Sequence, residues 1–291
     1  MPHSFRVSLL WGGPFGLPSR ARKRQAKSPA PRLRLPNCQA AAFFAALALA
    51  AGSLHGEPKP AADVVARVRA MREATDFTAS GRLVRVEAGG LRKAYQISMR
   101  AKAFDGATSV FCEVTDPAPA RVRALLETRA RGKSSIRVSH AEDAAPRELP
   151  FANWADALLD SNLSYEDLME SHFSWRGQTL LAPAKYGARD CYVLKSVPGP
   201  ADRSHYASVT SWLDQEICYP VKAEKVLRGS GIVKEFLYYG LRKTKGLWSA
   251  SQIEVRTKGK SYSTFLIITR GSGKARLTRA DFDPRILTRK P

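Results

Sequence analysis

Between about residues 189 and 270 the chain alternates short apolar segments with turn residues, in the pattern of an antiparallel meander. The segments are rich in Val, Ile, Tyr, Phe, Trp and Thr, which favour strands, and Gly, Pro, Asp and Lys separate them. No long helical pattern interrupts them, so the sequence favours a large curved sheet or barrel over alternating βα units. The predicted strands are Asp190–Val197, His205–Asp214, Cys218–Leu227, Ile232–Leu241, Leu247–Thr257 and Ser261–Arg270.

The chain before the meander predicts further strands and a few helices. Ala61–Ala74 carries apolar residues at helical spacing. Asn153–Leu159 and Tyr165–Ser171 predict two short helices, and Trp175–Tyr186 is a strand or an irregular segment. The whole chain is therefore expected to hold about eleven strands, one N-terminal helix and a mid-chain helical pair. The remaining predicted strands are Asp76–Ala88, Leu91–Lys102, Thr108–Thr115, Arg121–Arg129 and Ser134–His140.

The first 56 residues predict an export signal. Arg20–Arg34 is basic, Ala40–Ala51 is apolar, and small residues follow as far as Gly56, which is the order found in a cleaved signal peptide. The apolar run is shorter than the roughly 20 residues that a transmembrane helix needs. We therefore expect a basic N-terminal extension and signal peptide over residues 1–56, and a single domain over residues 57–291 that is soluble in the periplasm. An uncleaved N-terminal anchor is the alternative.

The formal net charge of +21 adds a strong electrostatic field to this picture. Eight of the 47 Lys and Arg residues lie in residues 1–56, where no Asp or Glu occurs, so 39 basic and 26 acidic residues leave +13 on residues 57–291. Such a field attracts nucleic acid, anionic lipid or acidic polymers, although many ordinary soluble proteins are also basic. Basic and aromatic residues alternate in Lys234–Lys245 and Arg256–Arg270, but the export signal argues against a nucleic-acid partner.

Common catalytic and metal-binding motifs are absent from the sequence. It contains no H-E-x-x-H, C-x-x-C or G-x-S-x-G pattern. Glu166 and Asp167 could form an acid pair, but neighbours on a helix point about 100° apart, so a role at a helix start is favoured. The sequence therefore predicts a protein that is not an enzyme and that holds no cofactor and no metal.

Three cysteines follow the predicted signal: Cys112, Cys191 and Cys218. An oxidising compartment permits a disulfide. Cys191 and Cys218 open strands that are two apart in the meander, which places them about 9.6 Å from each other, too far for a bond unless the sheet curls sharply. Three buried thiols are favoured over a Cys191–Cys218 disulfide.

The order of these segments resembles the LolA-like family of exported outer-membrane lipoprotein-sorting proteins, and especially its uncharacterised periplasmic branch. The similarity covers roughly residues 61–287, although Phe151–Asn162 lacks the Gly-rich stretch usual in the family. The segments that carry it are Asn162–Leu168 (NLSYEDL), Cys191–Leu194 (CYVL), Val209–Asp214 (VTSWLD), Cys218–Val221 (CYPV), Val233–Phe236 (VKEF) and Gly246–Trp248 (GLW).

The resemblance implies a mainly β fold with some α, in which a strongly curved antiparallel sheet forms a half-open barrel around a helical plug or lid. It implies a monomeric periplasmic carrier whose apolar concave face binds lipid or lipoprotein acyl chains and moves them toward the outer membrane, between an inner-membrane transporter and an outer-membrane acceptor. The alternative is a non-catalytic exported envelope module, for binding or structure, with a filled core.

The residues expected to contact lipid come from two sources. The short helices supply the apolar side chains of the plug. On the meander strands, Lys195, Lys222 and Glu224 are expected to face outward, so the residues that alternate with them should point inward. The pattern does not decide which face Trp212 takes. The expected lipid-binding residues are Trp154, Leu158, Leu163, Tyr165, Leu168, Tyr192, Leu194, Tyr219 and Val221.

Overall fold

The computed structural model describes residues 60–116, 122–129, 133–244 and 247–288. The predicted signal peptide lies outside the described residues. Among the described residues, no helix combines the length and apolar character that crossing a membrane requires.

The N-terminal helix α1 spans Ala61–Glu73 and confirms the sequence prediction. Pro60 stands at its N-cap with extended backbone, a position where the missing N–H of proline costs no helical hydrogen bond. Asp63 lies in the first turn, where the helix dipole favours a negative charge. The buried stripe of α1 packs on the sheet through Val64 and Val68, which contact Leu194, Leu213 and Phe173 in one apolar cluster.

Fifteen strands follow among the described residues, all paired antiparallel. Their bounds are β1 Phe77–Glu87, β2 Arg92–Phe104, β3 Ala107–Asp116, β4 Val122–Arg129, β5 Ser135–His140, β6 Arg147–Glu148, β7 Gly177–Tyr186, β8 Arg189–Val197, β9 Tyr206–Asp214, β10 Pro220–Leu227, β11 Val233–Tyr239, β12 Arg242–Thr244, β13 Leu247–Ser249, β14 Gln252–Thr257 and β15 Tyr262–Ser272.

Thirteen of the strands form one curved sheet in the order β6-β5-β4-β3-β2-β1-β15-β14-β11-β10-β9-β8-β7. Two meanders thus meet where β1 pairs with β15. Among the described strands, β6 and β7 are the two edges, so the sheet is not closed. A mainly β protein with a large curved antiparallel sheet was predicted, and the structure agrees at that level.

The expected count of about eleven strands differs from the structure. The four additional strands are the two-residue edge strand β6, β7 in the segment predicted as a strand or irregular, and β12 and β13, which form a separate two-stranded sheet. The predicted strand Leu247–Thr257 is divided into β13 and β14, and β12 follows the end of the predicted strand Ile232–Leu241. Gly240, with a φ of 60°, turns the chain out of the sheet, and the Ser251 N–H returns it by donating to the Tyr239 carbonyl at 3.0 Å.

The predicted mid-chain helices are 3-10 turns instead, at Phe151–Asn153, Glu166–Leu168 and Ser171–Ser174. Leu159 and Glu170 have φ values of 58° and 44°, which no right-handed helix accommodates. This segment fills the concave side of the β1–β5 half of the sheet, with Trp154 and Leu158 fully enclosed. A filling segment is therefore present, but within residues 133–244 it contains no α-helix.

The three cysteines among the described residues are buried, and no disulfide joins them. This agrees with the prediction of three buried thiols rather than a disulfide. Burial raises the pKa of the Cys112 thiol to about 12, so Cys112 behaves as a small apolar core residue.

Candidate functional site: an apolar cavity on the inner face of the sheet

A cavity of about 250 Å³ lies on the inner face of the sheet, between α1, the segment 163–173 and strands from both meanders. Its wall is mostly apolar. Binding sites for apolar ligands combine walls of this kind with a few polar groups. Representative apolar residues of the wall are Met71, Met99, Phe236, Tyr238, Ile253 and Leu266.

Strand alternation explains how the sequence builds this wall. On β2, Ile97, Met99 and Ala101 line the cavity, while Ala94 on the opposite face is exposed. Where β1 meets β15, the ladder is irregular at Gly81, and a Cβ on Gly81 would stand 1.9 Å from the Ile267 carbonyl oxygen. Only glycine therefore permits the close approach of the two strands that join the meanders behind the cavity.

Asp167 is the centre of a buried polar group at the cavity wall. Its Oδ1 accepts from Lys225 Nζ at 2.9 Å and from the Tyr206 hydroxyl at 2.6 Å, and its Oδ2 accepts from Lys234 Nζ at 2.5 Å and from Ser164 Oγ at 2.8 Å. Burial opposes ionisation of Asp167, but the two ammonium groups outweigh it and hold the pKa of this carboxyl well below its usual value.

The two lysines hold different positions. Lys225 lies on the inward face of β10 beside the Phe236 ring, with Nζ 4.3 Å from the ring centroid, and it lines the cavity together with Asp167. Lys234, on β11, does not reach the cavity wall, and burial lowers its pKa. The result is a mostly apolar cavity in whose wall the Lys225 ammonium group is buried beside Asp167.

Glu166 and Asp167 both lie in the first turn of the 3-10 helix Glu166–Leu168, as a helix-start role requires, but the Glu166 side chain points away from the Asp167 group. Its carboxylate accepts from Ser204 Oγ at 2.5 Å, and its Oε2 lies 3.0 Å from His205 Nδ1. Both acidic side chains are buried. Each ties the 3-10 turn to a different part of the β9–β11 region, so their role in the fold is cross-linking, and Asp167 alone of the two reaches the cavity.

Polar pairs mark the place where the cavity meets solvent. Arg72 of α1 pairs with Glu170 at 3.3 Å, and Lys102 of β2 pairs with Asp76 at 3.0 Å. All four are partly exposed, and Arg72, Glu170 and Lys102 line the cavity. Charged residues therefore lie at the partly exposed margin of the cavity, and the other charged residues of its lining are Asp167 and Lys225.

Three of the expected lipid-binding residues line this cavity: Leu163, Leu168 and Tyr219. Trp154, Leu158 and Tyr165 lie next to it, in the core that fills the β1–β5 half of the sheet. Tyr192 and Leu194 face inward, as alternation predicts, but there they pack with α1. Val221 is buried and faces inward on β10. Trp212 takes the opposite face, beside Lys222 at 4.9 Å.

Sequence reasoning missed Asp167, Lys225 and the residues that β1, β2, β14 and β15 contribute to the cavity. A signal for Lys225 was present, because it follows Val221 and Ala223 at alternate positions of β10. No comparable local signal linked the lysine to Asp167, which lies 58 residues earlier.

A possible metal-binding group lies elsewhere, where ligand atoms of His140, Glu142 and Asp143 lie within 4.8 Å of one another. Both ring nitrogens of His140 already have protein partners, Asp143 Oδ2 at 3.0 Å and the Tyr165 hydroxyl at 3.1 Å. We therefore interpret the three residues as part of a hydrogen-bonded turn and assign no metal to them.

Comparison with known structures shows the same fold in bacterial proteins. A domain assigned to the outer membrane lipoprotein-sorting proteins, from Vibrio parahaemolyticus, aligns with a TM-score of 0.72 at 17% identity over 79% of this chain and 98% of its own. A DUF1329 family protein from Desulfovibrio piger aligns with a TM-score of 0.72 at 16% identity, covering 78% and 97%. A LolA superfamily protein from Nitrosomonas europaea gives 0.61 at 17% identity, covering 77% and 98%.

Comparison by sequence gives one result at the family level. No curated protein matches the chain. A family model described as "Uncharacterized protein" matches residues 108–289, which is more than half of the sequence. The chain therefore belongs to that family, and its fold is the LolA-like fold.

Proposed function

We propose that the protein is a carrier that binds lipid or lipoprotein acyl chains in the cavity and moves them toward the outer membrane. The observation that carries the proposal is the mostly apolar cavity of about 250 Å³ on the inner face of an unclosed sheet. Each methylene group that an acyl chain buries there contributes about 0.8 kcal/mol. Because the wall is mostly apolar, a bound acyl chain is shielded from water inside the cavity.

The similar structures support the choice of cargo. One of them is assigned to the outer membrane lipoprotein-sorting proteins and another to the LolA superfamily, and both share this fold over nearly their whole length. The charge of +13 on residues 57–291 adds an attraction to anionic headgroups.

The proposal includes a location and partners. Residues 1–56 act as an export signal and residues 57–291 as one domain, which works in the periplasm as a monomer without catalytic activity. An inner-membrane transporter supplies the cargo and an outer-membrane acceptor receives it. N-terminal sequencing of the exported protein should begin between Ala51 and Pro60. An intact Met1 start in the membrane fraction would contradict this location.

The test of the carrier function is native mass spectrometry of protein purified from the periplasm, with and without a block in the cavity. The wild-type protein should carry lipid. Ala101→Trp places a large side chain into the cavity and should abolish co-purification, while Ala94→Trp on the exposed face of the same strand should retain it. Lipid-free wild-type protein that also fails to take up added lipid would favour the alternative of a filled structural module.

A further inference from the structure

The cavity wall contains a buried lysine with more hydrogen-bonding capacity than the described residues use. Lys225 is 4% exposed, and its ammonium group has three N–H donors. Within the described part of the chain, its Nζ has one hydrogen-bond acceptor, Asp167 Oδ1 at 2.9 Å. Its other close neighbours are the aromatic rings of Phe236 and Tyr206, at 4.3 and 5.4 Å.

The charges around Asp167 do not balance. Asp167 is shared between two ammonium groups, those of Lys225 and Lys234, so this contact group has one positive charge in excess. Glu166 contacts neither lysine: among the described residues its carboxylate accepts from Ser204 Oγ, and its Oε2 lies 3.0 Å from His205 Nδ1. His172 adds no charge, since burial holds its pKa well below its usual value.

An excess ammonium charge in an apolar wall is costly to bury, and a wholly apolar ligand would leave the remaining Lys225 donors unfilled. An oxyanion would accept these donors and neutralise the charge. We propose that the cavity binds an acyl chain that carries an oxyanion headgroup, a fatty-acid carboxylate or the phosphate of a lysolipid, and that this headgroup contacts Lys225 Nζ. The inference rests on the proposed acyl-binding function and narrows its ligand class.

The experiment compares a fluorescent fatty acid, cis-parinaric acid, with its uncharged methyl ester. At about pH 7.5 the acid is ionised, because carboxyl pKa values lie near 4. The wild-type protein should bind the acid at least tenfold more tightly than the ester, since a charge-assisted hydrogen bond contributes about 1.5–3 kcal/mol. Competition by oleate, by oleoyl lysophosphatidate and by methyl oleate then shows whether a carboxylate or a phosphate is preferred.

The matched variants are Lys225→Met and Lys222→Met. Lys225→Met keeps the length of the side chain and leaves the Asp167–Lys234 pair in place, and it should bind acid and ester equally. Lys222 lies on the same strand, faces the other way and pairs with Glu224 and Glu235 at 2.8 and 3.0 Å, so its replacement should leave the preference unchanged.

Equal affinity of the wild-type protein for acid and ester overturns this inference and leaves the carrier function standing. So does a preference for the acid that Lys225→Met retains. Binding of neither compound overturns the carrier function itself. If Lys225→Met fails to fold, the comparison of acid with ester in the wild-type protein still tests whether the cavity prefers an oxyanion headgroup.

Discussion

At the residue scale, Asp167 connects a 3-10 turn to two strands through charged hydrogen bonds. Its carboxylate is buried and contacts lysines of β10 and β11. Burial alone would favour the neutral acid, so the ionised state depends on both partners. Removing one partner of such a group is more damaging than replacing the whole group with apolar residues, because the remaining charge stays buried.

Asp167→Asn should therefore lower the free energy of unfolding by about 3–5 kcal/mol at neutral pH. Chemical denaturation followed by circular dichroism measures it. Asp190→Asn is the control, because the Asp190 side chain is 64% exposed and pairs only with Lys185 among the described residues, so its loss should cost less than about 1 kcal/mol. Equal costs for the two variants would contradict a special role for Asp167.

The pH dependence of the same variant has a defined sign. Since the pKa of Asp167 is lower in the folded than in the unfolded protein, its ionised form stabilises the fold above the ordinary value of 3.8, and this stabilisation is lost as the pH falls below 3.8. The difference in unfolding free energy between the wild-type protein and Asp167→Asn should stay constant above about pH 5 and shrink in acid. A difference that grows in acid would mean that folding raises the pKa of Asp167 instead of lowering it.

The Cys112 thiol should be inert in the folded protein. Burial raises its pKa to about 12, so almost no thiolate forms at about pH 8, and the side chain is 1% exposed. Alkylation with iodoacetamide followed by peptide mass mapping should leave Cys112 unmodified until denaturant is added. Rapid labelling under native conditions would mean that β3 and β4 open easily.

The sequence correctly predicted which way the side chains of β10 point, but it did not predict what surrounds them. Alternation correctly turned Tyr219 and Val221 inward and Lys222 outward. The same alternation turns Lys225 inward, but a lysine at such a position is ordinarily assigned to solvent. Only the fold reveals the distant aspartate that allows the lysine to stay buried.

At the element scale, the segment 151–174 shows why helix prediction failed there. Ser161 Oγ donates to the Leu158 carbonyl, and Asp167 Oδ2 accepts from the Ser164 N–H, so side chains satisfy backbone groups that a helix would use. The sequence predicted helices here because each segment follows a plausible helix start. The apolar residues are nevertheless buried as expected, because irregular backbone can present them equally well.

Two substitutions in this segment distinguish cavity wall from core. Leu168 lines the cavity, so Leu168→Asp should remain folded by circular dichroism but lose acyl binding by at least about tenfold, because a carboxylate repels an apolar chain. Leu158 is fully enclosed and does not line the cavity, so Leu158→Asp should unfold the protein, at a cost of several kcal/mol. A folded Leu168→Asp protein with unchanged binding would remove this segment from the site.

At the scale of the whole molecule, the fold depends on one pairing between distant parts of the chain. β1 and β15 join the two meanders, with Leu83 opposite Leu266 and Val84 opposite Phe265. Hairpin neighbours can be predicted from turns, but nothing local specifies that the first strand pairs with the last. The LolA-like resemblance predicted the curved sheet. It did not predict the pairing of β1 with β15, on which the cavity wall depends.

The net charge makes a prediction about the whole surface. The excess of basic over acidic residues, +13 over residues 57–291, should draw the protein to membranes with anionic headgroups, where each nearby Lys or Arg contributes about 1 kcal/mol. Salt shortens the reach of this attraction, from about 10 Å at 0.1 M to about 3 Å at 1 M. Vesicle co-sedimentation should therefore detect binding to phosphatidylglycerol vesicles at low salt that is lost at high salt, and no binding to phosphatidylcholine.

The same assay separates surface attraction from occupation of the cavity. Ala101→Trp, which blocks the cavity, should bind phosphatidylglycerol vesicles as the wild-type protein does, because it leaves the surface charge unchanged. If it loses vesicle binding, insertion of an acyl chain rather than the basic surface holds the protein at the membrane. Salt-independent binding of the wild-type protein would lead to the same conclusion, since burial of apolar groups does not weaken as ionic strength rises.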